Sequence, residues 1–358
     1  MASLQTERCP RITAIATALP QCEVHHNYNA WALRQLEGTR KAPIFERMME
    51  RSGISQRFSV LPQGDGQLSF GSFYNAGASP STAARMARYA ASAPELALEA
   101  TSRLPTLDGI THMVTASCTG FMAPGLDQVV ARRLGLAPTV ERIFLGFMGC
   151  YAGVTALRTA GMIVRADPQA RVLVLSVELC TLHMQDTDDL EQLLAMGQFA
   201  DGAGAAIVSG EGAGLALGKA LSLTLNDAAD LITWDVGNTG FAMHLSGAVP
   251  ARLAEQLDDP STLAQITGGT DREEIVSWAI HPGGRSILDA VERGLALPHG
   301  ALAASREVLR SAGNMSSASI LFVLERLIEE HPRHGLALAF GPGLGVEGLH
   351  YAWTGDAG

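Results

Sequence analysis

The chain is poor in charge, in lysine and in aromatic side chains, and it holds no long apolar run. Charged residues make up 17% of 358 positions and aromatics 6%, against 47% hydrophobic. That composition excludes a disordered tail or a charged scaffold and predicts a large buried core, spread over two domains or two fused halves. The net charge is -10, and Lys41 and Lys219 are the only lysines. A broad cationic face is missing, which excludes nucleic acid as the main partner, although a local cluster can still hold one anionic ligand. No stretch reaches the roughly 20 apolar residues of a membrane helix, and residues 1–11 are polar with both charge signs, so neither a span nor a secretion signal is predicted. Cys9, Cys22, Cys118, Cys150 and Cys180 are odd in number and lack framework spacing. They predict reduced thiols and a cytoplasmic protein.

What is present is a series of turns set after apolar runs. Phe147-Met148-Gly149-Cys150-Tyr151-Ala152-Gly153 lies between an apolar run over residues 142–147 and a helical pattern over 154–164. A strand that stops at a glycine and restarts as a helix exposes the residue at the helix N-terminus, where free amides and the macrodipole favour a thiolate. Cys150 is thereby a candidate nucleophile, against the competing reading of a small buried core cysteine.

Periodicity predicts further strands over 11–18, 110–115, 172–177, 275–280 and 336–340, the third of them continuously apolar and so buried on both faces. Helices are predicted over 28–36, 45–53 and 83–104 and through Val130, with a Gly-, Ser- and Pro-rich loop over 63–82. The second half repeats the first. Ile110 to Cys150 is 40 residues and Ile275 to Asn314 is 39, while Cys150 to Arg171 and Asn314 to Gly335 are both 21. Equal spacing predicts a duplicated unit that sets Cys150 and Asn314 at matching helix starts, facing each other across a pseudo-twofold axis.

Cys150, His281 and Asn314 are thus all predicted at turns just beyond buried strands, where α/β proteins place catalytic groups. An imidazole near a thiol stabilises its anion, and an amide can hold the imidazole or donate to an oxyanion. Arg47 and Arg51, four apart on one helix face, join Arg40, Lys41 and Arg57 in the densest positive patch, read either as a phosphate-binding surface or as a solvated face paired with Glu46 and Glu50. Gly341-Pro342-Gly343-Leu344-Gly345 looks like a phosphate-binding run, but the strand pattern that follows excludes a dinucleotide site, which needs a helix there. Cys180 and His183 have half of a zinc spacing without a second pair, so lining a pocket is the better reading and no metal is predicted. Asp186, Asp188, Asp189 and Glu191 read as a solvated helix start.

With these residues in view, the sequence resembles the bacterial type III polyketide synthases, relatives of plant chalcone synthase, along nearly its whole length. Gly149-Cys150-Tyr151-Ala152-Gly153 is similar to the family's nucleophile turn and Trp278-Ala279-Ile280-His281-Pro282-Gly283-Gly284 to its histidine motif. Gly313-Asn314-Met315-Ser316-Ser317 is similar to its asparagine motif and Phe340-Gly341-Pro342-Gly343 to its C-terminal signature. The resemblance implies an α/β thiolase fold, two pseudo-duplicated halves in a layered αβαβα arrangement over residues 1–212 and 213–358, in a homodimer. It also implies a reaction without metal or organic cofactor: an acyl-CoA starter loads Cys150, His281 and Asn314 support decarboxylation of malonyl-CoA, and repeated condensation builds a polyketide that cyclises.

Other positions carry over from the resemblance singly. Phe199 falls at a gatekeeper position, Arg47 and Arg51 where basic residues grip CoA phosphates, and Ala123-Pro124 at a commonly cis peptide that reaches the neighbouring subunit's cavity. Cys118, Cys180, Ser286 and Ser316 count with the substrate- and CoA-binding positions. Departures are Ile44 for a CoA-contacting lysine, Ala123 for a methionine, Met243 for a second gatekeeper phenylalanine, Trp234 for a glycine and Cys118 for a threonine. Ala123, Met243 and Trp234 together predict an apolar groove past Ala123 and a fatty acyl-CoA starter, extended few times to an alkylpyrone or alkylresorcinol.

Two rivals share Cys, His and Asn. A papain-type hydrolase fits the 131 residues from Cys150 to His281, but not the place of the nucleophile in the chain or its setting. An initiating ketoacyl synthase fits the triad, but Pro282-Gly283-Gly284 departs from the Gln-Ala-Asn that usually follows its histidine.

Overall fold

The computed structural model describes residues 9–62, 71–74 and 79–355; residues 1–8, and 63–70 and 75–78 of the predicted loop, lie outside the described residues. The strands are β1 (Arg11–Ala18), β2 (Cys22–Glu23), β3 (Phe58–Ser59), β4 (His112–Ser117), β5 (Glu141–Gly146), β6 (Arg171–Leu179), β7 (Asp201–Ser209), β8 (Gly214–Thr224), β9 (Ile232–Gly237), β10 (Gly240–Leu245), β11 (Ser277–Ile280), β12 (Gly335–Gly341) and β13 (Gly345–Thr354). The helices are α1 (His25–Gln35), α2 (Ala42–Glu50), α3 (Thr82–Ser102), α4 (Leu126–Arg133), α5 (Ala152–Ala166), α6 (Leu190–Met196), α7 (Val249–Asp258), α8 (Pro260–Ile266), α9 (Arg285–Gly294), α10 (Ala303–Ala312) and α11 (Ser319–Ile328).

Nine strands join in the order β5-β4-β6-β7-β1-β8-β13-β12-β11. The join of the two halves is thin: β1 and β8 pair only through Arg11↔Ala216 and Ile12↔Leu215. Outward from it the senses repeat, β1–β7 and β7–β6 antiparallel then β6–β4 parallel, and β8–β13 and β13–β12 antiparallel then β12–β11 parallel. This is the duplication that the spacing predicts, with β5 alone lacking a counterpart.

The alternation of side chains explains how the halves stack. On β6, Val172 and Val174 join one core with α5 and α11, while Leu173, Leu175 and Val177 join another with Tyr89 and Leu96 of α3. On β12 the small Ala337 and Ala339 face the same central helices, and Leu336, Leu338 and Phe340 face α7 and α9. Helices α5 and α11 are thus sandwiched between the two half-sheets, with further helices outside each. The continuously apolar strand is buried on both faces, as its sequence predicts.

Two expectations change. β5 is not a buried strand: residues 141–144 are exposed, Ile143 and Phe144 among them. Asn314 does not follow a strand either; it follows α10 and Gly313, and its neighbourhood makes one isolated bridge to Phe199. The matching of helix starts survives, because Cys150 stands two residues before α5 and Asn314 two before the short turn Ser316–Ala318 that leads into α11.

The pseudo-twofold contact is backbone on backbone. A Cβ on Gly153 would lie 2.2 Å from the Ser317 carbonyl oxygen and 2.7 Å from Ile320 Cγ2. Gly153→Ala is expected to cost about 1–3 kcal/mol through overpacking and to lower the thermal midpoint by several degrees. An unchanged midpoint in a calorimetric scan would show that the two helix starts can separate freely.

Candidate active site

The nucleophile turn is held by backbone geometry. Phe147 has φ 57° and Gly149 φ 87°, and a Cβ on Gly149 would fall 2.2 Å from Pro342 Cδ. Only glycine fits there, so the chain from β5 reverses tightly and delivers Cys150 just ahead of α5. The Gly149 N–H donates to Cys118 Sγ at 2.9 Å, so the neighbouring thiol fastens the turn from behind. Cys150 is buried, and burial pushes its thiol up to about 12; hydrogen bonding from the Ser316 and Asn314 side chains pulls down, and the nearby Glu178 pushes up. The thiolate expected from the helix N-terminus is therefore not the resting state of the free protein, because desolvation outweighs the dipole.

His281 follows β11, its N–H donating to Leu338 O at 2.8 Å. Its ring is buried, and neither ring nitrogen has a hydrogen-bond partner. Burial lowers its pKa to about 3, so it stands as a neutral imidazole. Asn314 is oriented on all sides: Nδ2 donates to Gly283 O at 3.2 Å, Oδ1 accepts from Ser316 N–H at 2.9 Å, and its backbone joins Gln198 O and Ala200 N, both at 2.9 Å. Ser316 adopts φ 46° beside it.

These residues share one cavity of about 620 Å³, lined by Cys150, His281, Asn314, Ser316, Cys118, Phe199, Trp234 and Met243, with apolar Ile232, Leu245, Val249, Ile287 and Phe340 around them. Phe199, Trp234 and Met243 also line a second cavity of about 440 Å³, bounded by Cys180, His183, Met184 and the α6 residues Gln192, Ala195 and Met196. Three side chains are thus the wall between two chambers. Trp234 Nε1 is buried without a partner. His183, stacked on Phe241 at 4.1 Å, lies 2.7 Å from Thr119 O through Nε2 and accepts from Phe241 N–H through Nδ1. Both its nitrogens are committed, which agrees with a pocket wall rather than half of a metal site.

Other predicted positions are not brought to the cavities. The Ala123-Pro124 peptide is cis, and Ala123 is exposed and lines neither chamber of a single protomer. Ser286 is exposed in the first turn of α9. Arg47 and Arg51 are exposed at α2 and make no ion pair among the described residues, which removes the reading as a face paired with Glu46 and Glu50. Arg57 does not belong to that patch: it is fully buried, donating to His25 Nδ1 at 3.2 Å, Met196 O at 3.1 Å and Phe199 O at 2.7 Å. It thereby clamps the Phe199 segment that pairs with Asn314, a task invisible in sequence because the two carbonyls it holds there lie 139 and 142 positions away.

Sequence reasoning also missed Glu178. Its carboxylate accepts from Cys118 N–H at 3.1 and 3.0 Å, from Thr119 Oγ1 at 2.8 Å and from Ser317 Oγ. Burial raises its pKa to about 7 against these donors. A carboxylate inside an otherwise apolar strand pattern was the signal to follow.

A thiol whose pKa is raised gains thiolate only as pH climbs toward that value. Iodoacetamide should therefore modify Cys150 of the free protein slowly at pH 7, and about tenfold faster per pH unit up to the limit of folding. A rate that is already level between pH 6 and 8, read by intact mass, would show a preformed thiolate–imidazolium pair instead.

Profiles of the chalcone and stilbene synthases match residues 3–212 for the N-terminal domain and 217–352 for the C-terminal domain. The structure of polyketide synthase PKS-I from the brown alga Ectocarpus siliculosus superposes with a TM-score of 0.87 at 28% identity, over 97% of this chain and 98% of that one. The 1,3,6,8-tetrahydroxynaphthalene synthase of Streptomyces coelicolor, a bacterial type III polyketide synthase, superposes at 0.85 and 28% identity over 96% and 99%. The alpha-pyrone synthesis polyketide synthase-like Pks18 of Mycobacterium tuberculosis is 32% identical over 249 residues, 66% of this chain and 63% of that protein. With both profiles matched in order and the solved folds superposed nearly end to end, the chain belongs to the chalcone and stilbene synthase family.

Proposed function

We propose that the protein is a type III polyketide synthase that extends an acyl-CoA starter with malonyl-CoA by decarboxylative condensation and cyclises the product. The observation that carries this reading is the meeting of a thiol, an unpaired imidazole and an oriented amide in one apolar cavity. His281, neutral and without a partner, takes the Cys150 proton as the thiolate attacks the starter carbonyl, and returns it to the departing CoA sulfur. Malonyl-CoA then loses CO2, with its thioester oxygen between His281 and Asn314 as the enolate charge develops there. The carbanion attacks the Cys150 thioester and frees the thiolate for reloading.

Arg47 and Arg51 supply cations for the CoA phosphates. Neither a metal nor an organic cofactor enters any step. The exposed apolar Phe121, Ile143 and Phe144, beside the cis Ala123-Pro124 peptide, suit the interface of a homodimer. No described helix is long and apolar enough to cross a membrane, and a cytoplasmic enzyme fits the free cysteines.

The starter in this reading is a fatty acyl chain lying in the chamber beside α6, where each buried methylene contributes roughly 0.8 kcal/mol. Few extensions fit in the remaining space, giving an alkylpyrone or alkylresorcinol; the name of the mycobacterial relative points to the pyrone. Incubation with labelled malonyl-CoA and a panel of acyl-CoA starters, with products identified by mass, separates this from a hydrolase or a single-step ketoacyl synthase. Ala195→Leu should shorten the preferred starter by two or three methylenes, and an unchanged chain-length profile would place the acyl chain elsewhere.

Asn314→Ala should slow malonyl-CoA decarboxylation about 100 to 1000 fold, the usual cost of one oxyanion donor, while Cys150 still accepts a starter. Normal release of CO2 by that variant would remove Asn314 from the reaction.

A further inference from the structure

A cleft of about 1200 Å³ opens at the end of α5 remote from the nucleophile turn and shares no lining residue with either chamber. Arg165, in its wall, stands near the C-terminal end of α5, about 20 Å along the helix from Ala152. The cleft forms where the two half-sheets part. β1 pairs with β8 only as far as Ala216, and the β8–β13 register slips between Leu349 and Tyr351, so the ladder is interrupted at His350.

Every charged side chain that lines this cleft is basic, in a chain of net charge -10. Arg165 and Lys219 are exposed and make no ion pair among the described residues. Backbone carbonyls hold them instead: Arg165 Nη2 donates to Leu217 O at 2.7 Å and to Gly218 O at 3.0 Å, and Lys219 Nζ to Gly268 O at 2.8 Å. Their charges are thus positioned without being neutralised. Beside them lie two imidazoles. His350 is 6% exposed; its Nδ1 is 3.0 Å from His334 Nε2, and its Nε2 completes no hydrogen bond. Burial, and after it His334, hold the His350 pKa down at about 4 against the pull of the Thr267 carbonyl, so this ring is neutral. A buried imidazole left half satisfied is costly. An anion in the cleft orders the pair by favouring a proton on His334, which then donates to the anion through Nδ1 and to His350 through Nε2.

We propose that the cleft binds a small molecule through a phosphate or diphosphate group, held by Arg165, Lys219, His334 and the Thr270 hydroxyl. A planar carboxylate is satisfied by one guanidinium fork, whereas a tetrahedral dianion uses donors that reach it from several sides. Here they come from α5, from β8, from the loop after α8 and from the residue before β12. The site depends neither on the chemistry at Cys150 nor on the phosphate contacts of α2.

The test titrates inorganic pyrophosphate into the protein by calorimetry. Arg47→Ala with Arg51→Ala removes the competing cations of α2, and saturable binding should persist in that background. Adding Lys219→Gln with Arg165→Gln should weaken it about tenfold or more, a loss of about 1.4 kcal/mol, while the thermal midpoint without ligand stays unchanged and shows the fold intact. Should that midpoint fall, His334→Gln decides, because its side chain bonds only to His350; it too should weaken binding. No saturable binding in the α2 background overturns the proposal. So does an affinity that neither the glutamine pair nor His334→Gln alters, and so does tighter binding of citrate than of pyrophosphate, which assigns the cleft to a carboxylate.

Discussion

The buried carboxylate of Glu178 is the constraint on which the site depends. It lies on β6, takes the backbone of Cys118 and the hydroxyl of Thr119 from the turn after β4, and takes the hydroxyl of Ser317 from the other half of the chain. Ser317 is in turn 2.8 Å from Ser176 on β6. Isolated in an apolar core, a carboxylate is costly; with three donors it becomes a rigid joint, and each donor left unpaired would cost about 1–3 kcal/mol. Because Cys118 touches Gly149 and Ser317 touches Gly153, this one group sets how closely the Cys150 turn approaches the Asn314 turn. Arg57 does the same from the opposite side, through Phe199, Asn314's bridge partner.

A site so dry does not sustain separated charge on its own. Burial moves the Cys150 thiol up and the His281 imidazole down, so both rest uncharged. In the proposed reaction the charges appear only with substrate, and each has a waiting partner: the imidazole nitrogens without hydrogen bonds and the amide of Asn314. In that proposed reaction the same dryness would act on malonyl-CoA, whose carboxylate would lose its water on entry and leave as neutral CO2.

The sequence displays the candidate site residues because they sit where regular patterns break. Strand and helix periods end at Gly149, His281 and Gly313, and equal spacing alone exposes the duplication. It conceals whatever depends on partners far along the chain. Arg57 reads as one more surface cation, since nothing local marks a guanidinium that will be enclosed by residues 139 and 142 positions later. β5 reads as buried because apolar runs usually are, whereas here the run covers an exposed edge. The chamber beside α6 is likewise made by β9, β10 and α6 meeting in space, so substitutions at Trp234 and Met243 announce an altered pocket without saying on which side it opens.

The chemistry and the selectivity rest on elements of different stiffness. Cys150, His281 and Asn314 are fixed by the nine-stranded sheet, by two glycines with no room for a side chain, and by buried polar joints. Trp234 and Met243 instead face each other across the two-stranded ribbon β9–β10, outside that sheet. Cross-strand neighbours on a small ribbon can change size together without disturbing a core that other strands share. The wall between the chambers is thus the least constrained part of the cavity. Changing Trp234 and Met243 would therefore alter what the cavity can hold while leaving the placement of Cys150, His281 and Asn314 untouched.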